Sequence, residues 1–315
     1  MGRRRETCAA LLRACLLPAS RRARKVAGKQ GAGMAQMGKD PPMLLLQAAD
    51  FGAESEVLHD LIDTLVPADW NRATGFKGWT VRDVIAHLHF WNHAADLSLH
   101  DEGAFTALYA QVQAGMASGP MRAAEDAILE DRAPRMEGRD LAEHWIQLAR
   151  DIAGRWTHAD PKARVVWAGP SMSVRSSITA RHMETWAHGH EIFDLFGETR
   201  TDTDRIRNIV VLGVNTFGWT HKVHGRETPE AMPKLVLKAP SGAVWEYGDA
   251  AAGRLEGSAT SFAQAVTQTR NWRDTDLSAT GDTAIWWMEH AQCFAGPPET
   301  PPAPGTRLRT AKRPD

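Results

Sequence analysis

Only three cysteines occur in the 315 residues, Cys8, Cys15 and Cys293, and two of them lie near the N-terminus. The rest of the chain therefore holds a single cysteine. That excludes a disulfide framework and a cysteine-rich zinc site there, and it fits a reducing cytoplasm. Any metal must be held by histidine and carboxylate. No apolar run approaches the roughly 18 residues of a membrane-spanning helix, so no span is expected. No internal repeat is visible, which excludes a repeat array. Net charge is also nearly absent, at −1 overall. That value conceals a division, because residues 1–33 carry nine Lys and Arg against Glu6 alone, a net +8 that leaves −9 for the remainder. An acidic body lacks the basic surface that phosphate backbones require, so nucleic acid is not expected as a partner.

What is present is ordinary for a soluble globular protein: 43% hydrophobic and 24% charged residues. The length allows two domains. Residues 1–42 form a basic leader in which Arg13 interrupts the apolar stretch Ala9–Leu17. A secretory signal would keep that stretch unbroken. The leader reads either as an organelle transit peptide or as an extension upstream of a true start at Met34, Met37 or Met43. In both readings it is expected to be disordered.

The body divides by texture. Leu58, Leu61, Ile62 and Leu65 predict a first helix over 43–66, closed by Pro67. Thr80, with Asp83 three residues on, predicts a capping box opening a second helix that runs to about Leu99. A less regular helix is expected over 104–116 and another over 139–156. Gly169-Pro170 reads as a break, after which Ser173 caps a long helix over 174–196 ended by Gly197. These apolar-striped helices predict a four-helix bundle over 43–200. Asp202 or Thr203 is expected to cap one further helix through Trp219. From 201 to 298 a small α+β domain follows. In it, 234–239 and 243–247 form a hairpin around Pro240-Ser241-Gly242, and Ser258 or Thr260 caps a helix to Arg270. A strand over 277–280 and a last helix from Asp282 to Phe294 complete it. Residues 299–315, rich in proline and charge, are expected to be a disordered tail. The fold class is mainly α with an α+β C-terminal part.

Histidine is unevenly spread. Glu184 and His188 stand four residues apart in Met183-Glu184-Thr185-Trp186-Ala187-His188, so on a helix they share one face. On the second helix, Val81, Val84, Ile85, Leu88, Trp91, Ala94 and Ala95 define an apolar arc at about 100° per residue. His87 falls within that arc, while His89 and His93 fall opposite and are expected to meet solvent; His100 lies at the frayed end. Two histidines and one carboxylate suffice for a metal site with an open position. The plainer alternatives are a hydrogen-bonded core histidine at His87 and an ion pair between Glu184 and Arg181. The fourth helix is apolar nearly all round, so Glu184 is expected to be buried, and a buried carboxylate is costly unless paired or metal-bound. His182 and His190, out of register with the pair, are expected to be secondary or exposed.

Gly78-Trp79-Thr80 followed by Ile85-Ala86-His87-Leu88, and then Met183-Glu184-Thr185-Trp186-Ala187-His188-Gly189, resembles the mycothiol-dependent maleylpyruvate isomerase family, whose members share a DinB-like metal-binding four-helix bundle. The stretches Val236–Gly248, Leu255-Glu256-Gly257-Ser258, Thr280-Gly281-Asp282 and Ala291–Pro298 resemble the smaller domain fused to such bundles. That domain is similar to sterol-carrier-protein folds and to a domain labelled for wyosine base formation. The resemblance spans about residues 43–298 and implies one divalent metal, zinc, held by His87, Glu184 and His188. It also implies an arginine of the C-terminal domain near the metal, Arg270 or Arg273. The wyosine label implies tRNA chemistry, against which stand the acidic body and the lack of a cysteine-bound cluster.

Three functions fit this pattern. The first is a thiol-dependent isomerase or transferase, in which the metal activates mycothiol or another low-molecular-weight thiol against a small electrophile. The second is a metal-dependent hydrolase on the same bundle, with Glu191 or Asp194 as the base. The third is a small-molecule or lipid carrier using the C-terminal domain. The 12 tryptophans, against two tyrosines, suit an apolar ligand but scatter over both domains and read mainly as core.

Overall fold

Side-chain caps set the start of both helices that carry the candidate ligands in the computed structural model. The structure describes residues 44–132, 136 and 138–310. The basic leader expected over 1–42 lies outside the described residues. Helix α1 spans Leu46–Ile62. Helix α2 spans Val81–His100, and its capping box forms as expected: the Thr80 hydroxyl accepts from the Asp83 backbone N–H, and the Asp83 carboxylate accepts from the Thr80 N–H at 2.9 Å. Helices α3 (Glu102–Met116) and α4 (Met121–Arg132) follow, then α5 (Gly138–Trp156). Helix α6 spans Val174–Phe196, capped by Ser173 and closed by Gly197 at φ 71°, with Glu198 N–H donating to the Phe193 carbonyl. A left-handed C′ residue of this kind favours glycine.

Helices α1, α2, α5 and α6 pack on one another as the expected four-helix bundle. Its core holds Leu58, Val84, Ile85, Trp145, Ile146 and Ile192. Gly189 leaves room for the Arg200 side chain against α6, since a Cβ there would lie 3.1 Å from its guanidinium. Helices α3 and α4 pack together and against α2. Among the described residues no helix is long and apolar enough to cross a membrane.

The hairpin β1 (Arg164–Trp167) and β2 (Gly169–Ser173) precedes α6. Gly169-Pro170, expected as a simple break, is the start of its second strand. The single helix expected over 202–219 is divided. A 3₁₀ turn at Asp204–Ile206 leads into α7 (Arg207–Asn215), and α8 (Phe217–Val223) follows. The C-terminal sheet has the order β4-β3-β5-β6. Strands β3 (Pro233–Lys238) and β4 (Val244–Tyr247) form the expected hairpin. Strand β5 (Asp249–Ser258) then pairs parallel to β3 on its other side, and β6 (Ser278–Thr280) pairs antiparallel to β5. Helix α9 (Ala259–Val266) ends before Arg270, and α10 (Asp282–His290) ends before Phe294.

From residue 44 onward the described residues cluster as one compact unit, and α6 is the reason. Met183 and Trp186 leave the bundle and enter the C-terminal core with Leu235, Leu255, Phe262 and Trp287. One helix thus serves two cores. The tail expected to be disordered is instead held through residue 310. Glu299 N–H donates to Gln292 Oε1, Asn271 donates to the Pro302 carbonyl, and the Thr310 hydroxyl donates to the Asp194 carbonyl. Proline lowers the entropy lost when such a strap is fixed, and side-chain hydrogen bonds supply what a regular ladder would.

Candidate metal centre

Helix geometry brings His87 from α2 to Glu184 and His188 on α6. One ligand atom from each of the three lies within 4.8 Å of the other two. His188 Nε2 is 3.2 Å and His87 Nε2 is 3.9 Å from Glu184 Oε2. Both histidines are nearly enclosed, whereas the Glu184 side chain, expected to be buried, is 25% exposed. No close ion pair joins Glu184 to Arg181, whose Nε–H donates to Asn92 Oδ1 at 3.1 Å, although the Arg181 charge helps to hold the Glu184 carboxyl down. Two imidazole nitrogens and one carboxylate oxygen are a zinc-type donor set with a position left over.

Aromatic rings enclose the imidazoles. The turn before α2, with Lys77 at φ 50° and Gly78 at φ 70°, folds Phe76 and Trp79 onto the site. Trp79 lies parallel to His188 (8° between planes, centroids 5.7 Å apart) and edge-on to His87 at 5.1 Å. Phe76 meets His188 edge-on at 5.0 Å. The His87 ring is anchored from behind: its Nδ1 lies 3.1 Å from both oxygens of Glu125 on α4, a carboxylate with no exposed surface.

Charges follow from these contacts. Burial pulls the His87 imidazole down, but Glu125 and Glu184 outweigh it and the net shift is upward. Burial dominates at His188, which is lowered. Burial alone would raise Glu184, yet His188 and His87 hold it well below the usual carboxylate range. An anionic carboxylate between two imidazoles is the state that binds a cation. A second His-carboxylate group, His59, Asp63 and Glu143, lies at the surface, where Asp63 is already paired with Arg139 at 2.8 Å.

Other residues fall differently from expectation. Arg270 forms a bidentate pair with Asp194 at 2.5 and 2.6 Å, nearly two turns of α6 beyond His188. Arg273 pairs with Glu289 near the surface. Arg307 from the C-terminal strap binds Glu191 at 3.1 Å and stands 5.0 Å over the Phe76 ring that meets His188. Burial pushes the Glu191 carboxyl up to about 7 despite that arginine. His182 and His190, expected to be secondary or exposed, are buried, at 0% and 5% exposure. His182 faces Glu54 of α1 and His190 meets Gln264 of α9, because α6 is covered on both flanks. His89 and His93, expected in solvent, are half-buried, and burial lowers His89 to about 4. Helix α5, packed beside α2, covers that face.

Sequence reasoning missed Glu125, which belongs to α4, a helix it did not place. It also missed a buried network on the far flank of α6. There Arg200 is ion-paired with Glu54 of α1, and Asp202 accepts from Trp186 Nε1 at 2.9 Å and from Thr260 at 2.7 Å. No local spacing connects residues so far apart in the chain.

Three comparisons bear on this geometry. The model of the mycothiol maleylpyruvate isomerase N-terminal domain matches residues 51–193, a span that contains all three candidate ligands. The uncharacterized proteins Rv0036c and MT0041, from two strains of Mycobacterium tuberculosis, are each 39% identical over 254 residues, covering 79% of this chain and 95% of theirs. Among solved structures, the mycothiol-dependent maleylpyruvate isomerase and a histidine-to-alanine mutant of it are similar at 20% and 19% identity. Their TM-scores are 0.45 and 0.46, over 76% of this chain and 92% of theirs.

Proposed function

The chain belongs to the mycothiol maleylpyruvate isomerase family, and we propose that it is a thiol-dependent isomerase or transferase built on a divalent metal, zinc, held by His87, Glu184 and His188. The observation that carries this reading is the convergence of those three ligand atoms within 4.8 Å, with the Glu184 side chain partly exposed. A bound divalent cation supplies the Lewis acidity that deprotonates a coordinated thiol, the nucleophile for an electrophilic carbon of a small-molecule substrate.

The residues explain why a thiol suits the centre. Two neutral imidazoles and one carboxylate leave a divalent cation with a net positive charge, which favours an anionic ligand such as a thiolate. Trp79 and Phe76 line the imidazoles with apolar rings and keep water from the enclosed side. Glu191, one turn beyond His188, has a carboxyl poised near neutrality and is the nearby group on α6 able to hold or move a proton. Asp194 is committed to Arg270. In this reading Arg270 fastens the C-terminal domain to α6. Mycothiol is the thiol the family points to, and the reducing cytoplasm is the compartment that keeps both it and Cys293 reduced.

The test is elemental analysis of the purified full-length protein with Glu184→Ala and His87→Ala beside it, followed by turnover of maleylpyruvate-type electrophiles with and without thiol. About one zinc per chain, lost in both variants, and turnover that requires thiol are expected. Thiol-independent hydrolysis would favour the hydrolase reading. Absence of metal would overturn the centre itself.

A further inference from the structure

We infer that Glu125 is the positioning residue of the metal centre, fixing the His87 ring so that Nδ1 carries the proton and Nε2 is presented to Glu184 and His188. This deepens the metal reading above and rests on it. Glu125 has no exposed surface, and its carboxylate is fully engaged. Both oxygens lie 3.1 Å from His87 Nδ1, Trp91 Nε1 donates to Oε1 at 2.8 Å, and Arg122 Nη1 donates to Oε2 at 2.6 Å. An ionised carboxylate can only accept, so the shared proton belongs on His87 Nδ1. That leaves Nε2, 3.9 Å from Glu184 Oε2, as the ring nitrogen able to give up its proton and bind a cation held between the two. Flipping the ring would break the contact with Glu125 and turn a carbon toward the buried carboxylate.

A packing role alone does not account for this arrangement. Burying a carboxylate is costly, and an apolar side chain of similar volume fills such a space at less cost. What an apolar residue cannot do is select a tautomer. A carboxylate behind a ligating imidazole fixes the ring and raises its basicity toward the metal. The carboxylate is itself held from two sides. Trp91 is on the same helix as His87, and Arg122 also pairs with Asp126 and lies 3.8 Å from Asp83 of the α2 capping box. Helix α4 therefore does more than cover α2. It carries the group that aims one metal ligand.

The test uses full-length protein stripped of metal, with zinc affinity measured by competition against a chromophoric chelator and the site's geometry read from the visible spectrum of the cobalt-substituted form. Glu125→Gln, which keeps the shape and loses the charge, is expected to bind zinc about 10–100-fold more weakly and to shift the cobalt bands. Glu125→Asp should recover part of the loss. Wild-type affinity and an unchanged cobalt spectrum in Glu125→Gln would overturn the inference while leaving the metal reading intact. A wild-type protein that binds no zinc would overturn both. Long-range proton–nitrogen spectra of the wild-type ring need no variant: Nδ1 should carry the proton, and the Nε2 resonance should move on zinc addition. The reverse assignment would equally overturn the inference.

Discussion

Arg307 reaches back across the chain to donate from Nη1 to Glu191 Oε1 at 3.1 Å, while its guanidinium stands 5.0 Å over the Phe76 ring. The strap that carries it also places Glu299 3.0 Å from Lys77. The C-terminal residues thus touch both the turn that covers His188 and the helix that bears it. Arg307 thereby joins the C-terminal strap to α6 one turn beyond His188.

Glu191 gives this contact a pH signature. Burial raises its carboxyl from an ordinary 4.5 to about 7, so the native protein keeps a proton there that the unfolded chain releases. The stabilisation from burying the neutral acid is complete below about pH 4.5 and is lost as the pH rises through about 7. Relative to Glu191→Gln, the wild-type unfolding free energy should fall by up to about 3 kcal/mol across that window. Denaturant unfolding of both proteins at intervals from pH 4.5 to 8 measures the difference. Parallel profiles would mean that Glu191 is ionised throughout.

Zinc should stabilise the folded protein by mass action. At a free concentration of about 100 times Kd the gain is about 2.7 kcal/mol. Wild-type protein should melt higher with zinc and return to its starting value with chelator. Glu184→Ala and His188→Ala should show neither change. A zinc-dependent rise that survives both substitutions would place the metal elsewhere, with the surface group around His59 the next to test.

The Thr80 cap is a local contribution that can be isolated. Thr80→Ala removes the hydroxyl that accepts from Asp83 N–H and should cost about 1 kcal/mol of stability. Thr80→Ser should retain most of it. Equal denaturation midpoints for the alanine variant and the wild type would show that α2 is held by packing alone.

Arg270 separates fastening from catalysis. Its side chain and that of Asp194 are 10% and 13% exposed. Arg270→Ala leaves a nearly buried carboxylate alone and should destabilise the fold by about 3–5 kcal/mol. Zinc stoichiometry should remain as in the wild type. If instead Arg270→Ala melts normally and loses turnover, the arginine acts on substrate as the resemblance first suggested.

The sequence carried the local decisions. Thr80 with Asp83, Ser173 and Gly197 fixed the ends of α2 and α6, because caps act within a few residues and leave a short-range signature. The i, i+4 spacing of Glu184 and His188, and the place of His87 on the apolar arc of α2, were equally legible, since helical periodicity converts spacing into direction. What the sequence could not carry was contact between distant elements. The β5 strand contains Ala250-Ala251-Ala252-Gly253 and lacks clean alternation, and its parallel pairing with β3 follows from the sheet rather than from its own residues. Glu125 behind His87, Arg307 on Glu191 and the burial of His182 and His190 arise only when separate helices and the strap close on one another. Local propensity and capping therefore chose the elements and the ligand types. The tertiary structure decided which carboxylates face imidazoles, which face an arginine, and which side of the His87 ring meets Glu125, because burial and charge pairing depend on neighbours that the chain supplies from far away.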